Sequence, residues 1–158
     1  MSETLPKSRS ISIGVWVKVG SRHERQEQGG VSHFIEHLFF KGTTTRTARQ
    51  LLEAVESRGG HINAFTAHNY TCVYAKTLDT HVDTAIEILA DIIKNSTFCD
   101  LDKGRNVVLE ELNGVKDTPD DLVFELFGET IWPGHPYGYS ILGTAETEIS
   151  ERFVKAGD

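Results

Sequence analysis

The segment His33-Phe34-Ile35-Glu36-His37 constrains this 158-residue chain more than any other stretch. On a helix, His37 lies about 40° from His33 and Glu36 about 60° to the other side. Both imidazoles can therefore meet one ion while the carboxylate reaches a water beside it. The order H-x-x-E-H is the H-E-x-x-H zinc pattern read backwards, with the glutamate moved next to the second histidine. Around it, Val31, Phe34, Ile35, Leu38, Phe39 and Phe40 make the segment apolar nearly all round, as expected of a helix buried on most sides. An ionised carboxylate or unpaired imidazole there would cost several kcal/mol, and a metal is the natural compensation. The competing reading is a chance match with satisfied core histidines.

A catalytic zinc usually holds three protein ligands and one open position, so a third ligand is needed. The stretch from Asn106 to Lys116 offers Glu110 and Glu111. Val107, Val108, Leu112 and Val115 form one helical stripe, and Glu111 falls inside it while Glu110 points away with Asn106. Spacing thus selects Glu111 as the inward carboxylate, against the plainer reading of a glutamate at the stripe's edge.

Several ordered motifs carry a resemblance. Gly29 through Thr43 resembles the active-site segment of the pitrilysin/insulinase family of inverted-motif zinc peptidases, in its processing-peptidase branch. Gly59-Gly60-His-Ile-Asn-Ala-Phe-Thr66 is similar to the strand beside the zinc. Val107-Val-Leu-Glu-Glu111 resembles the third-ligand helix, and Asp117 to Asp121 the turn after it. His135-Pro136 and Leu142-Gly143-Thr144 complete the series.

The resemblance implies one Zn2+ per chain held by His33, His37 and Glu111, with Glu36 as general base. It also implies that Asn63, Ala64 and Phe65 bind substrate along an exposed strand edge, by strand addition; an ordinary edge strand is the alternative. The implied activity is that of a zinc metalloendopeptidase acting on peptides or unfolded segments. An inactive zinc-containing peptide-binding or assembly subunit is the second possibility.

Three departures stand out. Only Met1 to Arg9 precede the first strand, where the family usually has another strand. The chain ends at Asp158, and the tail from Ile149 lacks the usual continuation. Residues 1–158 are accordingly expected to be a single, truncated N-terminal domain, lacking a second homologous domain or partner subunit. Third, the family generally carries a glutamate seven residues before the third ligand, and here that position is Gly104. Either a carboxylate that would hold a ligating histidine in its tautomer is lost, at about 10- to 100-fold in affinity or activity, or glycine lets two helices approach closely.

The remaining features are ordinary for a globular domain. With 39% hydrophobic and 25% charged residues, the chain suits one core. A formal charge of −7 without a basic stripe argues against nucleic acid as a partner. Cys72 and Cys99 have no zinc-type spacing and imply no disulfide framework. No apolar run approaches about 18 residues and the first ten lack a leader-like core, so the expectation is a cytoplasmic protein without membrane contact.

Local signals predict a strand through Ile11, Ile13, Val15, Val17 and Val19, and a polar loop from Ser21 to Gln28. A helix should start at Thr47, capped with Gln50 and ended by Gly59-Gly60. Strands are expected at 61–66 and 70–77. A helix at 81–94 should bury Val82, Ala85, Ile86, Leu89 and Ile93, followed by the Glu111 helix from about Leu101 and another from Pro119 to about Trp132. The order implies an α+β fold, an antiparallel-rich sheet with helices packed on one face. His23, His61, His68, His81 and His135 lack ligand spacing and are read as surface or satisfied residues.

Overall fold

The computed structural model describes Glu3 and residues 7–149. The expectations concerning the tail from residue 150 onward, and most of those concerning the first six residues, lie outside the described residues. Three strands, β1 (Ser10–Val17), β2 (His61–Thr66) and β3 (Thr71–Leu78), form an antiparallel sheet in the order β1-β3-β2. The register pairs Trp16 with Cys72 and Cys72 with Phe65, so these three share one level of one face. Alternation sends Ile62, Ala64, Val73 and Ala75 inward.

Among the described residues, six helices accompany the sheet: α1 (Val31–Phe39), α2 (Ala48–Glu56), α3 (Val82–Asn95), α4 (Leu101–Asp117), α5 (Pro119–Ile131) and α6 (Ala145–Ile149). The core joins Phe39 of α1, Leu51 and Val55 of α2 and Ala85, Ile88, Leu89 and Ile92 of α3 to the inward sheet residues. This is the α+β arrangement the residue pattern implies. A second cluster, Phe34 and Leu38 against Val108 and Leu112, packs α4 onto α1.

The predicted cap of α2 is present: Thr47 Oγ1 accepts from the Gln50 amide, and Gln50 Oε1 accepts from that of Thr47. One face differs from expectation. On α3, Ile86 and Ile93 are exposed, and Ile88 and Ile92 are buried in their place. With isoleucines at 86, 88, 92 and 93, two apolar stripes have helical spacing, and the sheet selects one. That rotation also buries Asp91. Its carboxylate accepts from Thr43 Oγ1 (2.9 Å), Thr45 Oγ1 (2.9 Å), Asn95 Nδ2 (2.8 Å) and Arg46 Nη1 (2.8 Å), clasping the loop before α2 to α3. Burial alone would raise the Asp91 pKa. The donors from Asn95, Arg46, Thr45 and Thr43 overcome it and hold the carboxyl below the usual range.

Val19 lies beyond β1, and the polar stretch 21–28 contains two single 3₁₀ turns, Ser21–His23 and Gln26–Gln28. Among the described residues, no helix is long and apolar enough to cross a membrane.

Candidate active site

The α1 helix enters from Gly30, whose φ of 95° is left-handed and suits glycine. Its first free amides are met from a distance: Glu24 accepts from Gly30 N–H (2.8 Å) and Ser32 N–H (2.7 Å). A carboxylate at a helix N-terminus both caps and complements the dipole. Glu24 therefore holds the histidine helix in place, a role hidden within a polar run. The available signal was an acidic residue shortly before Gly29-Gly30.

His33 and His37 project one turn apart with their Nε2 atoms 3.2 Å from each other. Glu111 of α4 comes to the same point, its Oε2 3.3 Å from His33 Nε2 and 3.2 Å from His37 Nε2. This is the one trio of His, Cys, Asp or Glu with metal-holding geometry found among the described residues. The spacing fits a tetrahedral ion: at about 2.0–2.1 Å per bond, adjacent ligands stand about 3.3 Å apart. Burial, aided by the neighbouring His37, pushes His33 down to about 4, which keeps its imidazole neutral and its lone pair free near neutral pH. Glu111 is less enclosed than the stripe suggested, with 42% of its side chain exposed against 11% for His33. Val107 is exposed too, so Glu111 stands at the margin of the buried face formed by Gly104, Val108 and Leu112.

Glu36 is not part of the trio. Its Oε2 accepts from Thr66 Oγ1 at 2.6 Å, which anchors it to the end of β2. Burial raises its pKa, opposed by the Thr66 hydrogen bond and His37 and reinforced by Glu111. Thr66 was not singled out in the sequence, because a strand threonine carries no helix-type spacing.

The other candidate residues lie on β2, an outer strand of the described sheet. Asn63 and Phe65 face outward. Ala64 is buried, and only its backbone is offered to a ligand; its N–H now donates to Asn63 Oδ1 at 2.9 Å. Two of the remaining histidines have local partners: His68 Nδ1 lies 2.8 Å from Ser21 Oγ, and His135 Nδ1 accepts from Tyr137 N–H.

Gly104 has a clear steric explanation. A Cβ there would stand 3.0 Å from Leu38 Cδ2 and 3.2 Å from Phe34 Cε2, both side chains in the α1–α4 core. Glycine permits this close approach of the helices. His33 Nδ1, meanwhile, is buried and has no hydrogen-bond partner among the described residues.

A His-His-Glu trio between two helices is a donor set of the kind that can hold a zinc ion. The particular family follows from sequence: residues 1–145 match the profile described as Insulinase (Peptidase family M16), and the chain belongs to that family. It is 50% identical over 150 residues to the "Uncharacterized zinc protease YmxG" of Bacillus subtilis, covering 94% of this chain and 37% of that protein. It is 40% identical over 147 residues to the "Probable mitochondrial-processing peptidase subunit beta, mitochondrial" of Arabidopsis thaliana, covering 92% of this chain and 28% of that one. A solved protease from Helicobacter pylori superposes with a TM-score of 0.86 at 28% identity, over 94% of this chain and 37% of its own. The chain thus spans about a third of the length of these relatives.

Proposed function

We propose that this chain is the metal-binding and base-bearing portion of a zinc metalloendopeptidase, with one zinc held by His33, His37 and Glu111. The observation that carries the reading is the trio of donor atoms 3.2–3.3 Å apart, with Glu36 beside it. When bound, zinc supplies Lewis-acid polarisation of the scissile carbonyl and acidifies a water. Glu36 takes the proton of the attacking water and delivers it to the leaving amine. Thr66 holds Glu36 in place through the hydroxyl hydrogen bond. The β2 edge, through the backbone at Asn63, Ala64 and Phe65, aligns an extended peptide without demanding one sequence, once Asn63 releases the Ala64 amide.

The lengths of the relatives support a further element, a second peptidase-like domain or subunit that closes over the substrate and positions it. The Nδ1 of His33, without a partner among the described residues, favours a second reading, a zinc-containing peptide-binding or assembly subunit. Metal-ligating histidines almost always donate their other N–H to a partner.

One experiment separates the two. Zinc content and cleavage of an unstructured peptide are measured for the parent and for Glu36→Gln, each supplied with the remaining length of a full-size relative. The expected result is about one zinc in both proteins and a loss of cleavage of about 100-fold or more in Glu36→Gln. Zinc binding without cleavage in the parent would establish the subunit reading, and absence of zinc would reject both.

A further inference from the structure

Glu36 is held from two sides, and the two holds come from different segments of the chain. Its own helix is capped by Glu24, and its carboxylate accepts from Thr66 at the end of β2. The segment leading to Glu24 lies directly on the turn that follows Thr66. Ser21 N–H donates to Ala67 O (3.3 Å) and Arg22 N–H to His68 O (3.0 Å). Gly20 allows this contact, since a Cβ there would stand 2.1 Å from Ala67 O. Ser21 is buried in the seam, its Oγ 2.8 Å from His68 Nδ1.

A third segment closes the seam. Past α5 the chain makes a single 3₁₀ turn, Pro136–Gly138, that carries Tyr137. The Tyr137 hydroxyl accepts from Arg22 Nη1 (2.8 Å) and donates to Asn69 Oδ1 (2.9 Å), taking one side chain from each of the two docked segments. With its proton and a lone pair both engaged, the hydroxyl fixes the separation of its partners. The ring is seated as well, edge-on to His68 at 5.6 Å and with the Arg22 guanidinium 5.7 Å from its centre. The turn beneath it is tight: Gly138 N–H donates to His135 O (2.8 Å), and a Cβ on Gly138 would stand 2.3 Å from Trp132 O. Two such hydroxyl bonds add little to overall stability; their consequence is geometric. We propose that Tyr137 is a positioning residue for Glu36: its hydroxyl ties Arg22 to Asn69 and so fixes Thr66 against the helix that bears the base. The inference rests on the peptidase reading of Glu36 and adds to it a residue that acts only through others.

Three variants test the link. Tyr137→Phe keeps the ring and removes the hydroxyl, Asn69→Ala removes its acceptor, and Asn69→Asp keeps one. Each protein, supplied with the remaining length of a full-size relative, is measured for kcat and KM on an unstructured peptide, for zinc content and for hydrogen exchange of the Arg22 and Ser32 amides. Tyr137→Phe and Asn69→Ala should each lower kcat about tenfold, as a small misplacement of a catalytic group does. KM should change by less than about twofold, with zinc at the parent level. The double variant should be no slower than either single one, since both cut the same link, and Asn69→Asp should keep the parent kcat. Both amides should exchange faster in Tyr137→Phe and in Asn69→Ala. Unchanged kcat in both of these variants, additive losses in the double variant, a fall in kcat accompanied by loss of zinc or matched by a rise in KM, or unchanged exchange would overturn the proposal. Faster exchange in the variants of a parent that cuts no peptide would support the link between the segments while counting against the peptidase reading. Cleavage by the parent that neither variant slows would do the reverse.

Discussion

At the scale of single residues, Gly104 separates a packing requirement from a missing chemical group. Its place between Leu38 and Phe34 leaves no room for a Cβ unless buried side chains move. Overpacking of this kind costs about 1–3 kcal/mol, against about 1 kcal/mol of helix propensity regained on replacing glycine. Gly104→Glu is therefore expected to lower the midpoint of thermal unfolding and to leave peptide cleavage no higher than in the parent. A stabilised, more active variant would show that position 104 lacks outer-shell support instead. The residue types of the trio were legible from one helical period in each of two segments. The exposure of Glu111 was not, because a stripe on one helix does not say how far the facing helix extends over it. Glu24 and Thr66 were equally hidden, since each acts on α1 from another part of the chain.

Among the elements, the clasp between the loop before α2 and α3 is set by one buried carboxylate. Asp91 has a folded-state pKa below its unfolded value of about 3.9. A depressed carboxylate contributes stability that is fully present above the unfolded pKa and is lost as pH falls through the folded one. Denaturant unfolding should accordingly show stability dropping below about pH 4 in the parent. Asp91→Asn should flatten that dependence while losing about 1–3 kcal/mol near neutral pH, because donors then lack their charged acceptor. A pH profile unchanged by Asp91→Asn would remove Asp91 from the acid response. Period-2 alternation in β1 and the Thr47–Gln50 pair were readable locally, since each depends on near neighbours in sequence. The inward stripe of α3 was not, because its choice among four isoleucines is made by Val73, Ala75 and the clasp residues from elsewhere in the fold.

Over the whole molecule, α5 contributes no buried residue, and its Phe124 is 74% exposed beside the exposed Val123, Phe127 and Ile131. Such a contiguous apolar face is uncommon on an isolated soluble domain. The 158-residue chain should bind a hydrophobic dye in the folded state, and Phe124→Ser with Phe127→Ser should reduce that signal without changing the far-ultraviolet spectrum. Dye binding unaffected by the pair would place the accessible apolar surface elsewhere. A different consequence follows from the trio joining α1 to α4, two helices far apart in sequence. An ion gripping both acts as a clip on the folded chain alone, so mass action converts metal concentration into resistance to heat. Above the dissociation constant, each tenfold rise in free zinc adds about 1.4 kcal/mol to the folded state. In buffered zinc the unfolding temperature of the parent should climb with the logarithm of free metal, while that of Glu111→Ala stays nearly level. A melting curve then measures metal affinity whether or not any peptide is cut.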